Sequence, residues 1–333
     1  MNIAHKQKAV RPMVQVGVTA TAVLALLVLV NRVMRHSQTT SNIQSDRIRL
    51  SHPLPSVEKT ATPSGRRQIE ILNQRLLLAA DAGDEAAVRS LVDQRADLHS
   101  IANDALNLVC DKNMEGHGNR PLTLIQFIID HGAKVNDADV FGKTPLIIAA
   151  SAGNADTVKL LIQSGANVNS ADGSGSTPLM AAACDKYIDA ERLLLEHGAR
   201  VNVKDTQGNT PLMSACYSSR GDETACNPVT VHLLLEHGAN VNDTDDVGET
   251  ALIHLALSGQ DDKQREANDT KAARVARDLV EHGANPMASG NGGETALSWA
   301  RDHKMKRLTE YLLTVVPVPD PAASNSSADG ARP

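Results

Sequence analysis

The chain has little aromatic content: about 2% of its 333 residues, with one Trp, three Tyr and two Phe. A compact enzyme of this length usually fills its core with more rings, so a single aromatic-rich core is a poor fit. Four cysteines, Cys110, Cys184, Cys216 and Cys226, form no C-x-x-C and have no histidines at zinc-finger spacing, which argues against a structural zinc site. No H-E-x-x-H, G-x-S-x-G or Cys/His nucleophile arrangement occurs. Gly142-Lys143-Thr144 copies the end of a phosphate-binding loop, but Asp137 stands where that loop needs Gly. No catalytic residue, cofactor site or metal ligand set is therefore assigned. His131, His197, His237 and His282 each precede a glycine at the end of a different expected helix, so stacking would separate them.

The charge is uneven. Residues 1–67 carry ten Lys or Arg and two acids, leaving 23 basic and 37 acidic residues beyond, a formal −14. Nucleic-acid binding needs a basic face to neutralise phosphates, and this sign excludes it.

What the chain does have is a repeated block. T-P-L begins at Thr144, Thr177 and Thr210, and T-A-L at Thr250 and Thr295; Gly-Ala pairs follow at Gly165, Gly198, Gly238 and Gly283. A period of about 33 residues, with extra material in some copies, predicts stacked supersecondary units. Gly142, Gly175, Gly208, Gly248 and Gly293 stand two places before each Thr, where a tight turn of positive φ is expected. Thr then caps a short first helix with Pro at its first position. A second helix closes on an aliphatic pair and a C-cap Gly, where a protonated His would suit the helix dipole.

Through G-K-T-P-L-I-I-A-A-S-A-G-N at 142–154 and L-L-L-E-H-G-A-N-V-N at 233–242, the chain resembles the ankyrin repeat family. The resemblance implies an all-α solenoid of about seven helix-pair units over residues 68–316, with turn-built fingers at one side. The family's His after T-P-L is replaced by Ile147, Met180, Met213, Ile253 and Ser298, so apolar packing is expected to take over its role. The resemblance also implies a protein partner on a concave surface of fingers and first helices. By motif position this surface holds Val140, Phe141, Lys143, Ser151 and Ala152, then Ser174, Ser176, Cys184 and Asp185. It continues through Gln207, Asn209, Tyr217 and Ser218 to Val247, Glu249 and Leu257. Phe141 and Tyr217 have the profile of interface anchors. The domain is expected to be monomeric and to act without catalysis, with an enzyme site in the inserted loops as a remote alternative.

Residues 1–12 form a basic tail. Residues 13–30 (MVQVGVTATAVLALLVLV) are uncharged and long enough for a single transmembrane helix, read as a signal-anchor without a small-x-small cleavage site. Residues 31–67 read as a flexible polar linker, and 317–333 as a disordered Pro/Ser-rich tail. Basic residues flank both sides of the apolar run, so the charge rule does not orient it. The short basic tail favours an exported repeat domain; the alternative is a cytoplasmic-facing adaptor for signalling proteins. If exported, Cys226 is expected to form a disulfide with Cys216 or Cys184. Insertions at 217–228 and 258–271 are expected to form one enlarged loop surface.

Overall fold

The computed structural model describes residues 65–94, 96–111, 121–185, 187–217, 226–257 and 265–316. The expected anchor at 13–30, nearly all of the linker and the tail from 317 lie outside them. Among the described residues no helix is long and apolar enough to cross a membrane. The chain divides into two units, Met1–Gln68 and Ile69–Pro333, and the second holds nearly everything described.

The described residues contain fourteen helices and no strand: α1 (Gly65–Ala82), α2 (Glu85–Asp93), α3 (Leu98–Cys110), α4 (Leu122–Asp130), α5 (Pro145–Ser151), α6 (Ala155–Gln163), α7 (Pro178–Asp185), α8 (Ile188–Glu196), α9 (Pro211–Cys216), α10 (Pro228–Glu236), α11 (Ala251–Leu257), α12 (Arg265–Glu281), α13 (Ala296–Asp302) and α14 (Lys306–Val315). Taken in order they make seven pairs, the expected number of units. From α3 onward the first helices pack on one another in sequence, and so do the second helices from α4 onward. Each pair thus shares its apolar faces with the pairs on either side. Leu146, Leu161, Leu179, Leu194 and Leu212 are fully buried in this continuous core.

Local chemistry starts and stops these helices as the repeat predicts. Thr144, Thr177 and Thr210 accept hydrogen bonds at Oγ1 from the backbone N–H of Ile147, Met180 and Met213 at 3.4, 3.3 and 3.3 Å. Thr250 departs: its Oγ1 is buried without a partner. The turn glycine Gly142 has φ +79°, and a Cβ there would meet Gly173 N at 2.6 Å, so conformation and space both demand glycine. Ile147, Met180, Met213 and Ile253 are buried, as expected of apolar replacements. Ser298 is a correction, since it restores polar capping: its Oγ accepts from Thr295 N at 2.8 Å, and Thr295 Oγ1 accepts from Ser298 N at 3.2 Å.

The helix-ending histidines bond the last helical turn through their rings. In His131, His197, His237 and His282, Nδ1 donates to the carbonyl four residues back (Phe127, Leu193, Leu233 and Asp278) at 2.7–2.9 Å. Each of these carbonyls also accepts the histidine's own backbone N–H at 3.1–3.2 Å, so the ring adds a second, side-chain bond at the helix end.

Two further expectations are corrected. Residues 265–271, read as loop, are the opening turns of α12. There Asp269 accepts from Arg307 N at 2.8 Å and Leu308 N at 2.9 Å, capping α14 of the following unit, whose own N-cap Met305 offers no side-chain bond. Cys226, read as a loop thiol, is buried. Burial, with the neighbouring Cys226, holds the Cys216 thiol well above the usual range. Residues 218–225 and 258–264, the rest of the two insertions, lie outside the described residues.

Candidate partner-binding surface

The fingers are built from the same few atoms each time. Asp139 Oδ1 accepts from the backbone N–H of Phe141 (2.8 Å) and Lys143 (2.9 Å). Asp172, Asp205 and Asp245 repeat the arrangement with Ser174 and Ser176, Gln207 and Asn209, and Val247 and Glu249. Each finger then hands one backbone bond to the one before: Gly173 N to Phe141 O, Thr206 N to Ser174 O, Asp246 N to Gln207 O and Asn291 N to Val247 O, all 2.8–3.0 Å. The backbone's polar groups are spent on the row itself, leaving the tip side chains for solvent or a partner.

A second ladder runs beside the C-caps. Asn136 Nδ2 donates to Gly165 O, and its Oδ1 accepts from Asn167 N. Asn169, Asn202 and Asn242 do the same to the following units, using Gly198 and Arg200, Gly238 and Asn240, and Gly283 and Asn285. The sequence reading passed over these residues, although an Asn four places after Gly132, Gly165, Gly198 and Gly238 was visible in it. The ladder also occupies the amide of Asn242, one of three N-x-S/T sequons; Asn268, another, is buried.

The expected site residues distribute unevenly on this scaffold. Val140 is 89% exposed, Val247 55%, Phe141 51% and Tyr217 44%. Gln207 and Ser174 are also exposed, whereas Lys143, Asn209, Glu249, Ser151, Ser176, Cys184 and Asp185 are half-buried. Leu257 is half-buried against the core, and Ala152 is a correction, since it is buried. Ser218 lies outside the described residues. Tyr217 and Glu249 converge on a residue the sequence reading missed, His254 of α11. The Tyr217 and His254 rings meet edge to face at 5.8 Å. His254 Nε2 lies 2.9 Å from Asp245 Oδ2 and 4.0 Å from Glu249 Oε2. Burial pushes the Glu249 carboxyl up, repulsion from Asp245 and Glu294 adds to this, and His254 opposes it. The fingers thus change character along the row, from Val140, Phe141 and Lys143 to the acidic group Asp246, Glu249 and Glu294.

Paired helices stacked on their own copies, with a ladder of turns at one side, define a helical repeat protein. A family model described as ankyrin repeats matches three times, over residues 76–172, 114–205 and 169–227, and this part of the chain is built of ankyrin repeats. No curated protein matches it. Ankyrin repeats are protein–protein interaction modules and generally non-enzymatic.

Proposed function

We propose that this chain captures a protein partner, without catalysis, through its finger row and first helices, and that residues 13–30 tether it to a membrane with the repeats exported. The observation that carries the reading is the exposure of Val140, Phe141, Tyr217 and Val247 beside a row of fingers joined to one another by backbone hydrogen bonds. Large apolar side chains held rigidly in water cost little further ordering when a partner covers them. The acidic end at Asp246, Glu249 and Glu294 favours a partner whose contact patch is apolar at one end and basic at the other.

The test is photo-crosslinking from full-length protein in its native membrane, with the reactive group at position 141 or 247 and, as control, at Lys159 on α6. Crosslinks to one protein from the two fingers, absent from position 159, support the reading; equal labelling from all three removes it. Orientation is tested separately by alkaline phosphatase fused after residue 316. An active fusion supports export, and a silent one puts the repeats on the cytoplasmic side, as the adaptor alternative requires.

A further inference from the structure

Unit six differs from its neighbours in the combination of residues at three matched positions. Its finger opens on Asp245, its turn ends on Glu249 and its first helix carries His254. In the third, fourth and fifth units the same places hold Asp139, Lys143 and Ile148; Asp172, Ser176 and Ala181; Asp205, Asn209 and Ser214; in the seventh they hold Gly290, Glu294 and Trp299. Only here, among these units, do three metal-ligating side chain types meet. One donor atom from each lies within 4.8 Å of the other two.

The group is held before any ligand arrives. Asp245 Oδ1 is fixed by Val247 N and Glu249 N, which leaves Oδ2 turned to His254 Nε2 at 2.9 Å. The bridge between Thr244 and Thr250 clamps the two ends of the turn. Glu249 folds over Gly290 of the next finger, where a Cβ would press on its Cγ at 3.3 Å; Asp139, Asp172, Asp205 and Asp245 hold that place in the four preceding fingers. The imidazole is buried, with side-chain exposure of 11%, against 7% for Asp245 and 19% for Glu249, and Tyr217 covers its ring.

We propose that Asp245, Glu249 and His254 form a divalent-cation site for a zinc-type ion, bound through one imidazole nitrogen and two carboxylates. Donors around such an ion at about 2.0–2.1 Å stand roughly 3.3 Å apart, so a small inward movement of Glu249 completes the set. The cation takes the Nε2 lone pair, and the proton that Nε2 now donates to Asp245 is carried by Nδ1. One imidazole suits zinc and its transition-metal neighbours better than magnesium or calcium. Three protein ligands leave a fourth position for water. Because Nδ1 is buried with no hydrogen-bond partner, it lacks the outer support that strengthens ligating imidazoles, which lowers the affinity about 10–100-fold relative to a supported site.

The experiment is equilibrium dialysis of the full chain against Zn2+, with the thermal midpoint read at each concentration and the spectrum recorded after Co2+ substitution. One Zn2+ per chain is expected, with a raised midpoint and no thiolate charge-transfer band. His254→Gln should abolish uptake. Glu249→Gln, less buried and safer for folding, should keep the metal-free midpoint and weaken binding at least about tenfold. The proposal fails if uptake does not saturate, or if a thiolate band appears and moves the metal to the cysteines. It fails equally if Glu249→Gln binds as tightly as the parent, which would move the metal to another group such as His232, Asp278 and His282.

Discussion

Helix stack and finger row join the same units by opposite chemistry. Between the helices, contact is apolar and side chains decide it: Leu161, Leu194 and Leu234 recur at matched places in the second helices and are fully buried. Between the fingers, contact is polar and the backbone decides it, through one N–H···O=C bond per step and an Asp that ties each turn together. Residues in the stack must therefore resemble one another from unit to unit, whereas finger tips are free to differ. That freedom is where recognition has room to arise, since Phe141, Ser174, Gln207 and Val247 hold one position in four units. On the proposed reading, stability belongs to the first region and specificity to the second.

The largest expected effect lies in the stack. Leu194→Ala removes a fully buried side chain between neighbouring units and is expected to cost about 2–5 kcal/mol in urea unfolding. A loss under about 1 kcal/mol would show that the stack does not carry stability as the comparison requires.

A polar residue inside the same stack gives a pH signature. Glu191 of α8 is buried; Thr230 Oγ1 donates to its Oε1 at 2.9 Å, and Oε2 has no partner. Burial pushes its carboxyl up to about 7, against the Thr230 hydrogen bond and the Arg192 charge. The folded value exceeds the unfolded one of about 4.5, so the neutral acid is the form the fold prefers. Its contribution is complete below about pH 4.5 and is lost as pH rises through about 7, a change of about 3 kcal/mol. Comparing unfolding of the parent and Glu191→Gln between pH 5 and 8 isolates it: the parent should lose stability relative to the variant as pH rises. Parallel curves would place the carboxyl in water.

The Asn ladder tests the seam between the two regions. Asn202→Ala deletes the bonds to Gly238 O and from Asn240 N while leaving every apolar contact of the stack in place. About 1–2 kcal/mol is expected, smaller than for Leu194 because water reaches these groups. A cost equal to that of Leu194→Ala would merge the two regions into one.

Legibility followed the same divide. The helix pairs, the turn glycines and the Thr caps were readable because each depends on residues within four of one another, where propensity and φ act directly. The Asn bonds were not, since they close over 29–43 residues and the repeat shows the Asn without its partner. His254 escaped for a related reason: its partners sit on a turn, and sequence alone does not show which way an α11 side chain faces. Asp269 read as loop because inserted material carries no periodicity of its own, yet it caps the next unit's helix. Ala152 was placed on the surface by motif position, and the core claimed it instead.

The smallest effect on stability is expected from the residue that matters most to the functional reading. Phe141 is half exposed, and its backbone N–H and C=O, bonded to Asp139 and Gly173, hold the finger in place whatever its side chain. Phe141→Ala should therefore shift unfolding by less than about 0.5 kcal/mol. Capture of the partner should weaken by about tenfold or more, because an aromatic ring presented rigidly is the usual anchor of such contacts. The two readouts together decide between region and role. A large loss of stability would make Phe141 part of the stack's packing, and unchanged capture would leave the finger row without its main anchor.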